Sequence, residues 1–251
     1  MTKYALSLPK GGTGKSSTAA ELVIALSELG RKVLALDLDQ QGNLTRRLGL
    51  TDNTPIDYTT ADVLRGEAQP VDAAVPAPGR PNVFVMAGTR ELIAVADAPP
   101  ADLVTSLLFV SFDFVDDVVI DLQPAAGRML DTGLAVADEV IAPVACSVEA
   151  FDQLATLERA LVSPTMRRIR PGARIAWIVP TLYDSRRLLD RDIVNTLRER
   201  YGDRVTTGTI RESVKVKESY MNGMTVSEYA PTEQVTADIA GVVSEILRGK
   251  K

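Results

Sequence analysis

The glycine-rich loop at residues 10–17, Lys-Gly-Gly-Thr-Gly-Lys-Ser-Ser, constrains the fold of this chain more than any other stretch. Residues 4–9 form a short, mostly apolar run, which is typical of a buried strand. The residues after the loop place apolar side chains on one helical face and stop at Gly30, a residue type common at helix C-termini. A strand, a glycine-rich loop and a helix in this order predict a phosphate-binding loop, although some glycine-rich turns before helices bind nothing.

The residues of this loop indicate how a nucleotide would be held. The glycines let the backbone curl so that successive N–H groups point at phosphate oxygens, aided by the positive end of the helix. Lys15 would reach the β- and γ-phosphates, and the Ser16 hydroxyl would be a ligand of Mg²⁺. The residues predicted to surround the phosphates are Lys10, Gly11, Gly12, Thr13, Gly14, Lys15, Ser16 and Ser17.

The composition excludes several kinds of catalytic site. The chain has no histidine, which is the commonest general base and zinc ligand, and its only cysteine is Cys146. One cysteine can form neither an internal disulfide nor an iron–sulfur cluster within one chain, which fits a cytoplasmic protein. No run of 18 apolar residues is present, and the first predicted strand leaves no room for a signal peptide. Catalysis would therefore use carboxylates, lysines, hydroxyls, backbone dipoles and a hard metal ion.

Two aspartates follow the second apolar run. Residues 33–36 predict a central parallel strand, and Asp37 and Asp39 lie at its end. Because ligands bind beyond the carboxyl ends of parallel strands, both carboxylates are expected to face the nucleotide. One could position an attacking water while the other supports the hydration shell of the metal. The alternative is a turn that is simply rich in Asp, Gln, Gly and Asn.

A third carboxylate ends another predicted strand, over residues 117–121. Residues 118–120 are Val-Val-Ile, and Asp121 follows them, which is the Walker B pattern. Its carboxylate would hold a water on Mg²⁺ beside Ser16. This pattern alone is weak evidence for a nucleotide site. It becomes good evidence here because it follows the glycine-rich loop and the two aspartates.

The charge of the chain is unevenly distributed. The net charge is −5, yet residues 159–217 contain 14 Lys and Arg against 6 Asp and Glu. This asymmetry predicts a surface in the C-terminal half that faces a polyanion. A solvated face of arginine-rich helices is the alternative.

The remaining pattern predicts alternating strands and helices. Further strands are predicted over residues 82–87, 139–145 and 174–180, and helices over residues 60–65, 89–97, 101–115, 149–166, 187–201 and 235–246. The rest of 51–82 is predicted as loop, and 209–226 as a short irregular stretch. The fold class is α/β, a doubly wound, mostly parallel sheet with helices on both faces, in a single domain over residues 1–251.

The chain resembles the ParA/MinD family of ATPases over almost its whole length. Its loop has Pro9 where the general pattern starts with glycine and carries a second lysine, Lys10, as in the deviant Walker A motif of the family. Residues 37–43, Asp-Leu-Asp-Gln-Gln-Gly-Asn, match switch I. Residues 183–186 and 214–218 match two further regions. After Asp121 the chain has Leu-Gln-Pro, whereas the family usually has one residue and then two prolines, so switch II departs from the pattern.

The resemblance implies roles for individual residues. Asp39 would orient the attacking water, and Lys10 would reach phosphates bound to a partner subunit. The implied catalytic residues are Lys10, Lys15 and Asp39, and the implied magnesium site consists of Ser16, Asp39 and Asp121. The adenine pocket would lie near Pro180, Thr181, Ile210 and Arg211. The implied DNA contacts are Arg186 and Lys215, with Arg187, Arg191 and Lys217 in support.

The implied function is that of a ParA-type partition ATPase with ATP and Mg²⁺ as cofactors. ATP would drive a homodimer that binds DNA non-specifically at the nucleoid. A ParB-like adaptor would stimulate hydrolysis, which is slow without it and releases the DNA. The implied cargo is a plasmid or a chromosome, with no membrane partner. The chain also resembles short family members that lack an N-terminal DNA-binding extension.

Other functions share the loop. A MinD-like membrane switch needs a basic amphipathic anchor, but the terminal helix carries Asp238 and Glu245 and lacks bulky aromatic residues. A ligase of the dethiobiotin-synthetase kind fits residues 39–43 poorly. A ParA-like ATPase that positions a protein assembly is an alternative that the motifs do not separate. The single cysteine excludes an iron-protein reductase.

Overall fold

The computed structural model describes residues 1–99 and 101–249, which form one seven-stranded sheet with helices around it. The strands are β1 (Thr2–Leu6), β2 (Val33–Leu38), β3 (Ala74–Pro76), β4 (Val83–Met86), β5 (Asp117–Leu122), β6 (Glu139–Ala145) and β7 (Ile175–Thr181). The α-helices are α1 (Lys15–Glu28), α2 (Asn43–Arg47), α3 (Thr60–Arg65), α4 (Glu91–Asp97), α5 (Arg128–Val136), α6 (Ala150–Leu161), α7 (Pro164–Ile169), α8 (Leu188–Tyr201), α9 (Lys215–Met221), α10 (Val226–Tyr229) and α11 (Gln234–Arg248).

The strand order across the sheet is β3-β4-β2-β5-β1-β6-β7. Neighbouring strands are parallel except for the short edge strand β3, which is antiparallel to β4. The predicted fold class, a doubly wound and mostly parallel sheet, is confirmed. Because β5 lies between β1 and β2, the carboxyl ends of these three strands meet at the centre of one edge.

The apolar runs of the central strands are continuous because helices cover both faces of the sheet. Every residue of β2 and β5 is buried. Successive residues of β5 point to opposite faces, so Val119 belongs to the core that includes Leu22 of α1 and Val243 of α11. Ile120 belongs to the core on the other face, which includes Leu134 of α5.

Two predicted helices differ in the structure. Residues 101–115 contain only a 3₁₀ turn, Leu103–Leu108, where the Ser106 hydroxyl donates to the Leu103 carbonyl and competes with the helical backbone pattern. Pro100, predicted as part of the preceding helix break, lies outside the described residues. Residues 149–166 form two helices, because Ser163 caps α7 by accepting from Met166 N and Pro164 occupies its first turn.

The stretch 209–226 is not irregular as predicted. It contains α9 and the start of α10, whose first turn has a capping box between Thr225 and Glu228. Helix α2 and strand β3 were not predicted, since both are too short to show a period. The predicted closing helix is confirmed as α11, which buries Val235, Ile239, Val242 and Ile246. In the described part of the chain, no helix combines the length and apolarity needed to span a membrane.

Candidate functional site

The carboxyl ends of β1, β5 and β2 bring the predicted phosphate loop and the predicted carboxylates together. Leu6, the last residue of β1, lies opposite Asp121 in the strand register, and Asp121 lies opposite Asp37 of β2. The loop leaves β1 and enters α1 directly above these strand ends. Residues that are far apart in the sequence therefore share one edge of the sheet.

The loop has a backbone conformation that requires glycine. Gly12 and Gly14 have φ angles of +73° and +90°, a region that other residue types rarely adopt. Gly14 is the N-cap of α1 and offers no side-chain cap, so the first amides of the helix remain available to an anion. Thr181, at the end of β7, supports the loop from below by donating from its hydroxyl to the Thr13 carbonyl at 2.8 Å.

Lys15 is buried inside the loop that it was predicted to serve. Its side chain is buried, and its Nζ donates to the Lys10 carbonyl oxygen at 2.7 Å. Burial lowers the pKa of Lys15, while the charges of Asp121 and Asp39 oppose this shift. The lysine is therefore held beside two carboxylates, at the end of the loop where the phosphates are predicted.

Asp121 is fully buried and has the chemistry of a metal-site residue. Neither of its carboxylate oxygens accepts a hydrogen bond of good geometry among the described residues, although the Ser16 hydroxyl lies close by. Burial and the nearby Asp37 raise the pKa of Asp121 well above its usual range, and the Ser16 hydroxyl and Lys15 oppose this. A buried carboxylate without such hydrogen bonds is costly unless a cation neutralises it, so Ser16 and Asp121 fit the predicted magnesium site.

No group of three or more His, Cys, Asp and Glu side chains within residues 1–99 and 101–249 could hold a metal ion by itself. This fits Mg²⁺, which keeps several waters and binds through one or two carboxylates together with substrate phosphates. In such a site Ser16 would contact the ion, Asp121 would hold one of its waters, and the phosphates would complete its coordination.

Asp37 and Asp39 were both predicted to face the nucleotide, but the structure places them in different environments. Asp37 is buried and its oxygens are occupied: Oδ2 accepts from the Thr45 amide at 2.9 Å and the Thr45 hydroxyl at 2.8 Å, and Oδ1 accepts from the Asp39 amide at 3.0 Å. Only Asp39 lines the cavity beside the loop, and its Oδ1 accepts from Gln41 N at 3.0 Å. Asp37 therefore holds switch I in place, and Asp39 is the carboxylate that can meet a nucleotide.

The cavity beside the loop has a volume of about 620 Å³. Its walls come from the loop, switch I, the residues after β5 and helix α9, and they include Gly12, Lys15, Ser16, Asp39, Arg47, Pro124 and Lys217. The atypical switch II residues Gln123 and Pro124 line this cavity, and Pro124 lies against Gly11. Lys10 is half exposed at the mouth of the loop, and its Nζ lies 3.6 Å from Glu149 Oε2.

A second cavity, of about 760 Å³, adjoins the first and is bounded by the segments predicted to form the adenine pocket. These segments lie side by side, since Ile210 N donates to the Pro180 carbonyl at 2.9 Å. Of the four predicted adenine residues, only Arg211 lines this cavity, and it pairs with Asp238 at 2.6 Å. Pro180, Thr181 and Ile210 are buried behind the wall, and their neighbours Leu182, Tyr183 and Thr209 line it instead.

The two predicted DNA contacts do not lie together on this cavity. Arg186 lines it, is 88% exposed, and pairs with Asp184 at 2.8 Å, which holds the pKa of Asp184 below its ordinary value. Lys215, at the start of α9, pairs with Glu218 of the same helix at 2.8 Å and lies over the Tyr229 ring of α10. Arg187 and Lys217 line the cavity beside Arg186, and Lys217 lies on both cavities.

The basic excess over residues 159–217 does not form one surface. Arg170 donates to the carbonyls of Leu134 and Asp138, at the amino ends of the strands. Arg186, Arg187 and Arg211 lie at the opposite edge, where carboxylates partly neutralise them. Only the second group shares an edge with the predicted nucleotide site.

Sequence reasoning missed two residues of the site, Thr45 and Arg47, both on α2. Thr45 links Asp37 to the loop after β4, because its hydroxyl also accepts from the Gly88 amide at 3.0 Å. Arg47 is buried and lines both cavities, and burial lowers its pKa while Glu21, Tyr220 and Asp121 oppose this. The Asn-Leu-Thr-Arg-Arg sequence after switch I gave no periodic signal for either role.

Comparison with known proteins gives a consistent result. Residues 1–163 match the model of an AAA domain family. The chain is 32% identical over 231 residues to a chromosome-partitioning ATPase Soj of Thermus thermophilus, covering 92% of this chain and 89% of that protein. It is 31% identical to the chromosome partitioning protein ParA of Caulobacter vibrioides over 236 residues, which covers 90% of this chain and 86% of that one.

A solved structure is also similar over nearly the whole chain. It is a cobyrinic acid a,c-diamide synthase from Mycobacterium smegmatis with bound ADP and magnesium. The TM-score is 0.81 at 26% identity, and the similarity covers 99% of this chain and 95% of that one.

Proposed function

The chain belongs to the ParA/MinD family of P-loop ATPases, and within this family we propose that it is a ParA-type partition ATPase. ATP and Mg²⁺ are its cofactors. The ATP-bound form is a homodimer that binds DNA non-specifically, and a ParB-like adaptor stimulates hydrolysis. Its cargo is a plasmid or a chromosome.

One observation carries the proposal: Asp39, Lys15 and the fully buried Asp121 converge on a loop that also presents a half-exposed lysine, Lys10. Within one chain, Lys15 and the first amides of α1 bind the phosphates, while Ser16 and Asp121 hold Mg²⁺. Asp39 is the carboxylate of the cavity that can orient a water toward the γ-phosphate.

The position of Lys10 supports dimerisation. Its Nζ is turned away from its own loop toward Glu149, and both side chains are substantially exposed. An ion pair of this kind contributes little stability, so Lys10 can exchange Glu149 for a phosphate bound to a partner subunit. A dimer formed in this way would also bring two copies of each basic surface together.

Arg186, Arg187 and Lys217 support DNA binding, because they lie around the cavity next to the nucleotide site. The guanidinium groups of Arg186 and Arg187 are exposed while their shared partner Asp184 is largely covered, so DNA phosphates can approach both arginines from the solvent side. Lys215 adds a charge from the other side of α9. Such contacts give an affinity that depends on salt and little on sequence.

The test is DNA binding with a non-hydrolysable ATP analogue across a salt series. The double variant Arg186→Ala with Lys215→Ala should bind all sequences more weakly and lower the salt slope by about one unit for each phosphate that is no longer neutralised. The control variant, Arg167→Ala with Arg168→Ala, removes the same charge from exposed positions of α7. Equal weakening in both double variants, or binding without nucleotide, would contradict the proposal.

The packing of α11 weighs against the membrane alternative. Its apolar residues Val235, Ile239 and Val243 are buried in the core with Leu22 of α1, so this face is not available to a lipid surface. A liposome sedimentation assay with ATP should leave the protein in the supernatant.

A further inference from the structure

Arg47 is a buried guanidinium that the predicted mechanism does not use. Arg47 is the last residue of α2 and is 8% exposed. The guanidinium donates to the Val216 carbonyl at 3.3 and 3.4 Å and to the Ser219 hydroxyl at 3.5 Å, which are long hydrogen bonds. It also lies over the Tyr220 ring at 5.1 Å.

No carboxylate among the described residues pairs directly with this charge. Arg47 takes part in no ion pair there, its Nε is buried without a hydrogen-bond partner, and Glu21 and Asp121 favour its charged form only from a distance. A buried guanidinium that no carboxylate touches carries a desolvation cost that weak contacts to a carbonyl and a hydroxyl do not offset. Such a group is stabilised when a ligand supplies the missing negative charge.

The surroundings of Arg47 indicate which ligand would do so. The two cavities have six wall residues in common: Gly12, Gly14, Ser17, Arg47, Val216 and Lys217. Three of them belong to the phosphate loop and the first turn of α1, so Arg47 borders the space on which that loop opens. A guanidinium presents a planar fork of donors that matches phosphate oxygens.

We propose that Arg47 is a phosphate-binding residue of the nucleotide site, contributed by α2 from the wall shared by the two cavities. The inference rests on the proposed function, since the anion that it names is the polyphosphate of the nucleotide. It adds a contact outside the loop, on the helix that directly follows switch I. Bound nucleotide would thereby link the phosphate loop, α2 and, through Val216, α9.

The test compares stability and nucleotide affinity, neither of which needs turnover. Arg47→Met keeps an unbranched apolar stem and removes the charge. Without nucleotide, its Tm should equal or exceed that of the parent, because an uncompensated charge has been removed. Its affinity for Mg-bound non-hydrolysable ATP analogue should be at least about tenfold weaker, the effect of removing one hydrogen bond to a charged group.

Arg46→Met is the matched control. Arg46 is the preceding residue of α2, its side chain is 56% exposed, and its contact with Asp52 is 3.9 Å long. This variant should bind the analogue as the parent does. The proposal would be overturned if Arg47→Met had a lower Tm without nucleotide and bound the ATP analogue as tightly as the parent. Arg47 would then only connect α2 to α9.

A second measurement uses the parent protein and so does not depend on the folding of Arg47→Met. The ¹⁵N signal of the Arg47 Nε–H group, assigned by its disappearance in Arg47→Lys, should shift when Mg-ADP is added. An unmoved signal at saturating nucleotide would overturn the proposal. If nucleotide fails to stabilise the parent itself, the proposed ATPase function fails; if it stabilises parent and Arg47→Met equally, only the role of Arg47 fails.

Discussion

Asp37 and Asp121 lie opposite one another on neighbouring parallel strands, and both carboxylates are buried. Asp37 accepts three hydrogen bonds from Thr45 and Asp39. Neither oxygen of Asp121 accepts a hydrogen bond of that quality among the described residues, and the nearby Ser16 hydroxyl and Lys15 favour its charged form only partly. The protein thus satisfies Asp37, whereas a bound cation would neutralise Asp121.

Replacing the metal-site carboxylate should stabilise the protein without nucleotide. Asp121→Asn removes a fully buried carboxylate whose desolvation outweighs the help of Ser16 and Lys15, so the free energy of unfolding should rise by about 1 kcal/mol, and Mg²⁺ should no longer strengthen nucleotide binding. Thermal unfolding in EDTA and in Mg-ADP measures both effects. The control is Asp117→Asn on the same strand, which should destabilise the protein because Asp117 accepts from Thr2 N at 2.9 Å and pairs with Arg31.

Removing the predicted water-orienting carboxylate should separate binding from hydrolysis. Asp39→Ala should retain ATP binding, lower turnover by about 10²- to 10⁴-fold, and accumulate the ATP-bound dimer. Phosphate release and light scattering measure these effects. Asp52→Ala, which removes a 96% exposed carboxylate shortly after switch I, should hydrolyse ATP at the parent rate. Parent-like turnover in Asp39→Ala would refute the assignment.

Thr45 is predicted to hold switch I against the strand ends. Thr45→Val removes the hydroxyl that donates to Asp37 and accepts from the Gly88 amide, and it leaves both groups buried. The free energy of unfolding should fall by about 2 kcal/mol. Urea denaturation gives this value, and Thr45→Ser, which keeps the hydroxyl, should be destabilised much less. Equal destabilisation of the two variants would show that packing of the methyl group matters instead.

Lys10 is expected to act across a dimer interface. Lys10→Ala should bind ATP as a monomer and hydrolyse it poorly, because the remaining Lys15 serves only its own loop. Light scattering with an ATP analogue measures the dimer. Glu149→Ala removes the exposed partner of Lys10 and should leave dimerisation intact. An unchanged dimer in Lys10→Ala would exclude the role.

The buried Glu21 should make stability depend on pH. Its carboxylate accepts the amides of Val226 and Ser227 at the start of α10, and burial raises its pKa above the ordinary 4.5. Because folding raises this pKa, its contribution to stability is complete below about pH 4.5 and is lost as the pH rises through the folded-state value. The free energy of unfolding of the parent should therefore decline as the pH rises above about 4.5.

The matched variants for this prediction lie on the same helix. Glu21→Gln cannot ionise and still offers a carbonyl oxygen to the two amides, so its decline with pH should be shallower. Glu28→Gln, at an exposed position of α1, should decline as the parent does. Urea denaturation at about pH 5, 6.5 and 8 measures the slopes. Parallel curves for all three proteins would rule out Glu21 as the cause.

The sequence by itself determined the parts of this protein that local chemistry dictates. The phosphate loop, Asp39 and Asp121 could be predicted as one site because glycine conformation, helix start and strand-end carboxylates are encoded within a few neighbouring residues, and the structure brings them to one edge of the sheet. The fold class followed from the alternation of buried strands with helices. Short or broken elements, such as α2 and the division of 149–166 into two helices, were missed or merged because they carry too little periodicity.

Only the tertiary structure decided what each side chain meets. Asp37 was predicted to contact the nucleotide, but in the structure it anchors switch I. The reason is that the fold brings Thr45 against it, and Thr45 in turn is held by the Gly88 amide. The basic residues of 159–217 lie on two separate surfaces, because β7 runs between them. Arg170 is left at the amino ends of the strands and Arg186 at the carboxyl ends. Arg47 became a candidate phosphate-binding residue because α9, which comes much later in the chain, buries it while no carboxylate of the described residues pairs with it directly. Interactions of this range depend on the packing of the whole sheet and its helices, which no local pattern records.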